Sequence, residues 1–326
     1  MTLPWLAKGL DQAFIELCLR PTLTVVTQTS PLARLRIAEQ RTQISLRDDE
    51  VFPATVTPQF TITQTRRLRE NRKELTLTWP APTVPIEKVW FPEYDRYRTT
   101  KSQWRVHALP RPLVVLVAGW VPLRWLWPIE RLSHAGFDVA LARLPRSARL
   151  FPKNRDDSLP SRDPSRNIIE LARAASELGQ LLTVAKERGH PSTLVWGTSL
   201  GAHIVALLAT LPHAVHAAKY VLEKPVSRMS DALRLHGRGD STLRSEVAAR
   251  LDNVYRAVSP LERNPQVDAG SILVIGGQFD RMTPLATAQL LASHFNVPLR
   301  PIKASHLLDP GRSRRLTKVV VECLHR

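Results

Sequence analysis

Residues 193–203 have the sequence Thr-Leu-Val-Trp-Gly-Thr-Ser-Leu-Gly-Ala-His, and no other segment of the chain says more about its fold. Thr193 to Trp196 is a short apolar run typical of a buried strand, and a helical pattern of apolar residues follows from Ala202 to Leu211. The five residues from Gly197 to Gly201 match the pattern Gly-x-Ser-x-Gly. Between a strand and a helix, this pattern places its serine on a sharp, strained turn, and the two glycines let strand and helix approach closely. We therefore predict a nucleophilic Ser199 at the end of a sheet strand.

The chain on both sides of this turn alternates between strand and helix patterns. Leu113 to Val117 is a continuous apolar run rich in β-branched residues, as expected of a strand buried on both faces of a parallel sheet. Asp163 and Pro164 supply an N-cap and a first-turn proline for a helix that ends near Gly189. Further strands are predicted at 137–142, 219–222, 272–275 and 299–303, and helices at 285–295 and 312–324. Repeated β-α units predict an α/β fold with a mostly parallel sheet flanked by helices.

Two further segments complete the predicted organisation. Residues 1–84 are expected to form an N-terminal extension, with an amphipathic helix followed by short antiparallel strands at 23–26, 60–65 and 74–79, packed on a core domain of residues 85–326. Another β-prone run follows at 104–108. Residues 225–265 interrupt the β-α alternation with two helical patterns, which predicts a helical lid insertion over the carboxyl ends of the strands.

A nucleophilic serine needs a base and an acid that orients this base. Asp280 follows the predicted strand 272–275, and His306 follows the predicted strand 299–303. Both therefore lie at carboxyl ends of strands, as Ser199 does, and open α/β sheets form their clefts at this edge. The chain order Ser199, Asp280, His306 predicts one site.

Residues from about 85 to 326 resemble the α/β-hydrolase fold superfamily, in its serine esterase and lipase-like branch. The segments that carry the resemblance are LVVLVAGW, VWGTSLGAH, SPLERNPQVDAGSILVIGGQFDRMTP and IKASHLL. The resemblance implies that Ser199 is the nucleophile, His306 the general base and Asp280 the acid that orients His306, with no cofactor and no metal. It also implies an oxyanion hole formed by the backbone N–H groups of Leu200 and Trp120. In the loop of Trp120, this chain departs from the His-Gly common in the family and has Ala118-Gly119.

Other polar residues near the predicted strand ends offer alternatives. Glu223 follows the strand at 219–222 and is the alternative triad acid, since some superfamily members place the acid one strand earlier. We interpret His203 as a packing residue beneath the turn, His294 as a partner of terminal helix carbonyls, and Asp309 as a turn residue before Pro310.

The predicted activity is cleavage of a carboxylic ester by a serine hydrolase through an acyl-enzyme. Met229, Leu233, Leu235, Leu243, Val247, Leu251 and Val254 are candidates for an apolar lining of the cleft. The loop 144–166 is rich in basic residues, and Arg146 and Arg149 are candidates to bind substrate, which favours a lipid-like or anionic acyl ester. Thioester or amide cleavage, acyl transfer and a non-catalytic binding protein of the same fold are the alternatives.

Charge and cysteine content exclude other classes. The chain has 326 residues, and 46 Lys and Arg against 29 Asp and Glu give a formal net charge of +17, which suggests an anionic partner. The excess is spread along the chain without a zinc-finger spacing, an RNP-like strand or a basic zipper, so we expect no specific nucleic-acid binding. The 2 cysteines, near opposite ends, predict neither a disulfide framework nor a metal site. No oligomeric state follows from the sequence.

The N-terminal sequence bears on location. It contains Asp11 and Glu16 and lacks both a basic leader and an uninterrupted apolar segment, so we predict no secretory signal and expect a cytoplasmic protein. Six apolar residues recur at helical spacing: Leu3, Leu6, Leu10, Phe14, Leu17 and Cys18. We expect this helix to pack on the protein's own core, and peripheral association with an anionic membrane surface is the alternative.

Overall fold

The computed structural model describes residues 4–16, 29–43, 46–53, 57–68, 71–92, 99–120, 129–142, 159–237 and 240–324. Within these ranges, the centre of the molecule is a nine-stranded sheet. Its strands are β1 (Thr61–Arg67), β2 (Lys73–Pro80), β3 (Thr99–Val106), β4 (Leu113–Val117), β5 (Asp138–Ala142), β6 (Thr193–Thr198), β7 (Lys219–Glu223), β8 (Ile272–Gly277) and β9 (Leu299–Ile302).

The order of the strands across the sheet is β1-β2-β3-β5-β4-β6-β7-β8-β9. The pairs β1–β2, β2–β3 and β3–β5 are antiparallel, and every pair from β5 to β9 is parallel. The predicted α/β fold with a mostly parallel sheet is therefore confirmed. This order places β6, which carries the Gly-x-Ser-x-Gly turn at its carboxyl end, in the interior of the sheet between β4 and β7.

Helices cover both faces of the sheet. They are α1 (Pro4–Phe14), α2 (Thr29–Thr42), α3 (Asp48–Val51), α4 (Pro85–Trp90), α5 (Ile129–His134), α6 (Pro164–Glu187), α7 (Leu200–Leu208), α8 (Asp231–His236), α9 (Ser241–Val254), α10 (Leu285–His294) and α11 (Arg312–Leu324). None of the helices in the described ranges is long and apolar enough to cross a lipid bilayer.

The core explains why β4 is apolar at every position. Leu113, Val115 and Val117 pack on one face with α6 and α7, whereas Val114 and Leu116 pack on the other with α5 and α11. Successive side chains of a strand point to opposite faces, so a strand covered on both sides has no position left for a polar residue. All five residues are buried, as the sequence predicts.

The long helix α6 begins and ends at the predicted residues. The Asp163 carboxylate accepts a hydrogen bond of 2.9 Å from the backbone N–H of Ser165, which makes Asp163 the N-cap. Gly189 stands just beyond the end of α6 with a φ of +77°, a conformation that glycine adopts without steric cost.

Several N-terminal elements differ from the sequence predictions. The helices α2, α3 and α4 were not predicted, and β3 begins at Thr99 instead of Trp104. The run 23–26 lies outside the described residues. α1 forms and packs on the protein, but it buries Ala7 and Asp11, while Leu6 and Leu10 are 42% and 43% exposed. Ile15, just beyond α1, is also buried. The leucine stripe is therefore not the packing face of α1.

Candidate active site

Ser199 lies on the turn that joins β6 to α7. Its φ of 57° and ψ of −121° are strained for a residue with a Cβ. Its backbone N–H donates a 3.0 Å hydrogen bond to the carbonyl of Glu223 at the end of β7. A Cβ on Gly201 would collide with the carbonyl oxygens of Val117 and Ala118, so glycine is required there for α7 to approach β4.

The histidine side chain lies within hydrogen-bond distance of both other predicted site residues. His306 Nε2 is 3.1 Å from Ser199 Oγ, and His306 Nδ1 is 2.8 Å from Asp280 Oδ2. The Asp280 side chain is fully buried and that of His306 is 8% exposed. Because a carboxylate only accepts, Nδ1 carries the proton, and the Nε2 lone pair faces the serine hydroxyl.

The turn after β8 fixes the Asp280 carboxylate. Its Oδ1 accepts the backbone N–H groups of Met282 at 2.9 Å and Thr283 at 2.7 Å. Its Oδ2 accepts the Thr283 hydroxyl at 3.0 Å as well as His306 Nδ1. These bonds hold the carboxylate in an orientation aimed at the imidazole.

The backbone around the predicted oxyanion hole closes on the serine. A Cβ on Gly119 would lie 3.0 Å from Ser199 Cβ and 3.5 Å from Ser199 Oγ, so the Gly119 backbone passes directly over the nucleophile. Trp120 and Leu200 line the same cavity as Ser199. The Leu200 N–H has no acceptor within its own helix because Leu200 is the first residue of α7.

The alternative acid, Glu223, lies beneath the turn in an ion-pair network. Its carboxylate is fully buried and accepts hydrogen bonds from Trp196 Nε1 at 3.1 Å, from Thr198 Oγ1 at 3.0 Å and from the Arg312 guanidinium. Burial alone would raise the pKa of Glu223, but the charges of Arg312, Lys224 and Arg315 outweigh it and hold that pKa well below its usual range. The structure thus places Asp280, and not Glu223, against His306.

Three other residues weighed in the sequence have structural partners. His203 is buried, with Nδ1 3.0 Å from the Val226 carbonyl and Nε2 3.2 Å from the Val258 carbonyl, and burial lowers its pKa. His294 Nε2 lies 2.9 Å from the carbonyl of Arg263, not from a carbonyl of its own helix end. Asp309 forms a buried ion pair with Lys224 at 3.2 Å and contacts Arg315, so it is more than a turn residue.

Asp11 of α1 lies at the site and was not predicted from the sequence. Its fully buried carboxylate accepts the backbone N–H groups of Arg281, His306 and Leu307 and the hydroxyl of Ser305. The signal available in the sequence was its spacing: Asp11 lies four residues after the apolar Ala7 and four before the apolar Ile15, which places it on their side of the helix. The structure buries all three residues.

An apolar cavity of about 160 Å³ opens beside Ser199. Of the predicted lining residues, Met229, Leu233 and Leu251 line it. Leu235 and Leu243 are instead 43% and 46% exposed, because they lie on the outer sides of α8 and α9, and Val247 and Val254 pack in the core. Leu35, Val226 and Tyr255 also line it, and Arg162 contributes the charged side chain. Arg146 and Arg149 lie outside the described residues.

Comparisons with solved structures agree with this architecture. The acetyl xylan esterase 1 of Thermoanaerobacterium sp. JW/SL YS485 aligns over 94% of this chain and 98% of its own, with a TM-score of 0.58 and 12% identity. An acetyl xylan esterase from Paenibacillus sp. R4 aligns over 94% and 98%, with a TM-score of 0.57 and 11% identity. A brefeldin A esterase, a bacterial homologue of human hormone sensitive lipase, aligns over 96% and 90%, with a TM-score of 0.50 and 12% identity.

These likenesses define the class of protein by its fold: the chain has the α/β-hydrolase fold, as the sequence resemblance implies. A scan against protein-family models finds no match, and no curated protein matches the sequence.

Proposed function

We propose that this protein is a serine hydrolase that cleaves carboxylic esters through an acyl-enzyme. The observation that carries the proposal is the unbroken chain of contacts from Ser199 Oγ to His306 Nε2 and from His306 Nδ1 to the Asp280 carboxylate. A serine and a base within hydrogen-bond distance, with the base oriented by a third group, form the arrangement that activates a hydroxyl.

In the first half of the reaction, Ser199 Oγ attacks the acyl carbonyl carbon while His306 Nε2 accepts the hydroxyl proton. The C–O bond to the alcohol then breaks, and His306 returns the proton to the leaving oxygen. In the second half, water takes the place of the alcohol, His306 accepts its proton, and the acid is released from Ser199 as the serine is reprotonated. Asp280 stays ionised and stabilises the imidazolium.

Stabilisation of the tetrahedral oxyanion falls to backbone groups. The Leu200 N–H, at the positive end of the α7 dipole, is one donor, and the Trp120 N–H is the second. The close passage of Gly119 over Ser199 supports this assignment, because a side chain there would occupy the space of the reacting carbonyl.

The cavity beside Ser199 supports an apolar acyl group, because Leu35, Val226 and Met229 are among its walls. Its volume of about 160 Å³ favours short acyl chains over long ones. The acetyl ester named for two of the structural neighbours is consistent with a short acyl group.

Labelling with a fluorophosphonate probe tests the proposal, because the probe forms a bond only with an activated serine. Wild type should be labelled and S199A should not, and hydrolysis of 4-nitrophenyl acetate and butyrate should disappear in S199A. Hydrolysis rates of thioesters and amides with the same acyl groups, measured in parallel, show which of the three bond types the protein cleaves fastest. Absence of Ser199-dependent labelling would contradict the enzyme assignment and favour a non-catalytic binding protein.

A further inference from the structure

The apolar cavity beside Ser199 is called the acyl cavity below. Among the described residues that line it, Arg162 has the one charged side chain. The Arg162 Nε is shielded from solvent and has no hydrogen-bond partner. Neither an ion pair nor an aromatic contact engages this guanidinium in the described part of the chain. Arg162 is thus a partly buried cation without an ion-pair partner among the described residues, and it lines the same cavity as the nucleophile.

The polar neighbours of Arg162 are already engaged with other partners. Asp163, the adjacent acid, caps α6 and lies 3.9 Å from Arg166. Asn167 accepts the Ser161 N–H and donates both to the Ser161 carbonyl and to Tyr255. Among the described residues, these neighbouring polar groups therefore supply no counter-ion for Arg162.

Two buried arginines of this protein, Arg173 and Arg312, are neutralised by acids. Arg173 lies between Glu87 and Glu170, and Arg312 donates to Glu223. A charge that is shielded from solvent is costly unless it is paired, and the guanidinium of Arg162 is shielded at its Nε. The contrast with Arg173 and Arg312 points to a ligand that supplies the missing anion at Arg162.

We propose that Arg162 binds an anionic group of the substrate, so that the preferred ester carries a carboxylate or phosphate together with an apolar chain. The proposal rests on the proposed ester hydrolysis at Ser199, and it defines the substrate class of that site. A guanidinium suits this role because its planar N–H groups pair bidentately with carboxylate and phosphate.

Two matched substrate pairs test the proposal. Mono-4-nitrophenyl adipate and 4-nitrophenyl hexanoate share a leaving group and chain length and differ in a terminal carboxylate. The 1-hexanoyl esters of glycerol 3-phosphate and of glycerol differ in a phosphate on the alcohol side. Wild type should prefer the anionic member of at least one pair in kcat/KM. R162Q should lower kcat/KM for that member by about tenfold or more and change the neutral member by less than about twofold.

Two control variants sharpen the result. R256Q removes an equal charge outside this cavity, where Arg256 contacts Asn253, and should leave the preference intact. R162K keeps the charge without the planar fork and should retain part of the preference. Equal kcat/KM ratios within both pairs for wild type and R162Q, with hydrolysis still dependent on Ser199, would overturn the proposal.

Binding without turnover separates this proposal from the proposed function. In the S199A background, hexyl phosphate should raise the melting temperature more than 1-hexanol does, and R162Q should remove the difference. If the shift in melting temperature depends on Arg162 but no hydrolysis depends on Ser199, the proposed ester hydrolysis is wrong and anion binding stands. If hydrolysis depends on Ser199 but neither hydrolysis nor the shift depends on Arg162, anion binding at Arg162 is wrong and the proposed hydrolysis stands.

A separate observation concerns Asp11, whose carboxylate joins two loops. Its Oδ2 accepts the N–H of Arg281, next to Asp280, at 3.1 Å and the N–H of His306 at 2.9 Å. Its Oδ1 accepts the N–H of Leu307 at 3.1 Å and the Ser305 hydroxyl at 3.0 Å. One buried group from the N-terminal helix thereby sets the spacing between the loop of the acid and the loop of the base.

We infer that Asp11 is a positioning residue for the proposed reaction, acting through the backbone of His306. Only a carboxylate accepts hydrogen bonds at both oxygens, so D11N turns an NH₂ group toward two donors. After titration of active sites with the fluorophosphonate probe, D11N should lower kcat per site by about tenfold with KM within about twofold, and D11A should lower kcat further.

The control is L10A, which changes an exposed residue of the same helix and should keep the wild-type kcat. The low-field proton signal of His306 Nδ1–H should shift in D11N and not in L10A. If D11N and D11A lower the melting temperature or the fraction of titratable sites but keep kcat per site and the proton signal, Asp11 has only a structural role. This outcome leaves the proposed hydrolysis at Ser199 in place.

Discussion

Arg312 lies directly against Glu223 beneath the nucleophile turn, and it donates to one carboxylate oxygen from Nε at 3.0 Å and from Nη2 at 2.8 Å. Arg312 also donates to Thr198 Oγ1 at 2.7 Å, next to Ser199 in the chain. This buried pair therefore ties the last helix, α11, to the ends of β6 and β7, which position the serine.

Replacement of Glu223 by glutamine should destabilise the protein by about 3–5 kcal/mol at pH 7, because Arg312 is left buried without its counter-ion. The pKa of Glu223 is depressed in the folded state, so the carboxylate contributes stability above its ordinary pKa and loses that contribution as pH falls. The deficit of E223Q in urea unfolding should therefore shrink below about pH 4. A double variant E223L/R312M controls for the orphaned charge and should recover much of the loss. Equal stability of wild type and E223Q at pH 7 would contradict this account.

The two acids near the sheet edge should behave differently in kinetics. D280N should lower kcat by about 10²–10⁴-fold, because an amide NH₂ facing His306 Nδ1 favours the tautomer that cannot accept the Ser199 proton. E223Q, measured per titrated site, should keep kcat within about tenfold, since Glu223 contacts Arg312 and not His306. A larger kcat loss in E223Q than in D280N would instead assign the acid to Glu223.

The strained backbone of Ser199 predicts that glycine at this position abolishes activity but makes the protein more stable. Its φ of 57° with ψ of −121° costs about 1–3 kcal/mol for a residue with a Cβ, and glycine adopts this conformation freely. S199G and S199A should both be inactive, but S199G should be the more stable by about 1 kcal/mol in urea unfolding. The comparison with S199A isolates backbone strain from loss of the hydroxyl. If S199G is the less stable of the two, the turn is not strained by its side chain.

The sequence predicts those parts of the fold that depend on local pattern. Leu113 to Val117 is apolar throughout and is buried on both faces of the sheet. Asp280 and His306 follow strands that lie near β6 in the sheet, so the geometry of the strand ends brings them together. The helix α2 was missed because it is mostly polar: within its described side chains, Leu35 and Ala38 are buried, and an ion pair from Glu39 to Arg250 ties it to α9.

Contacts between distant residues explain what the sequence did not predict. Asp11 and His306 are 295 residues apart, and no local spacing relates a helix acid to a loop backbone so far along the chain. Apolar periodicity assigns a charged residue such as Asp11 to the solvent-facing side of a helix. The four hydrogen bonds that it accepts reverse this expectation, since they offset the cost of burying its carboxylate.

Glu177 of α6 provides a prediction for the pH dependence of stability. Its carboxyl is fully buried, and desolvation raises its pKa to about 8, against the hydrogen bond from Thr100 at 2.8 Å and the charge of Arg173. Between its ordinary value of 4.5 and about 8, the unfolded chain releases a proton that the folded chain retains. Wild-type stability should therefore fall as pH rises through this range.

Glutamine at position 177 keeps the shape of the side chain and an acceptor for Thr100 but carries no proton to lose. E177Q should match wild type near pH 4 and exceed its free energy of unfolding by about 1–3 kcal/mol at pH 7 to 8, as measured by urea unfolding at each pH. The control E187Q changes an exposed acid at the end of the same helix and should follow the wild-type pH profile. A constant difference between E177Q and wild type from pH 4 to 8 would show that Glu177 titrates alike in the folded and unfolded chain.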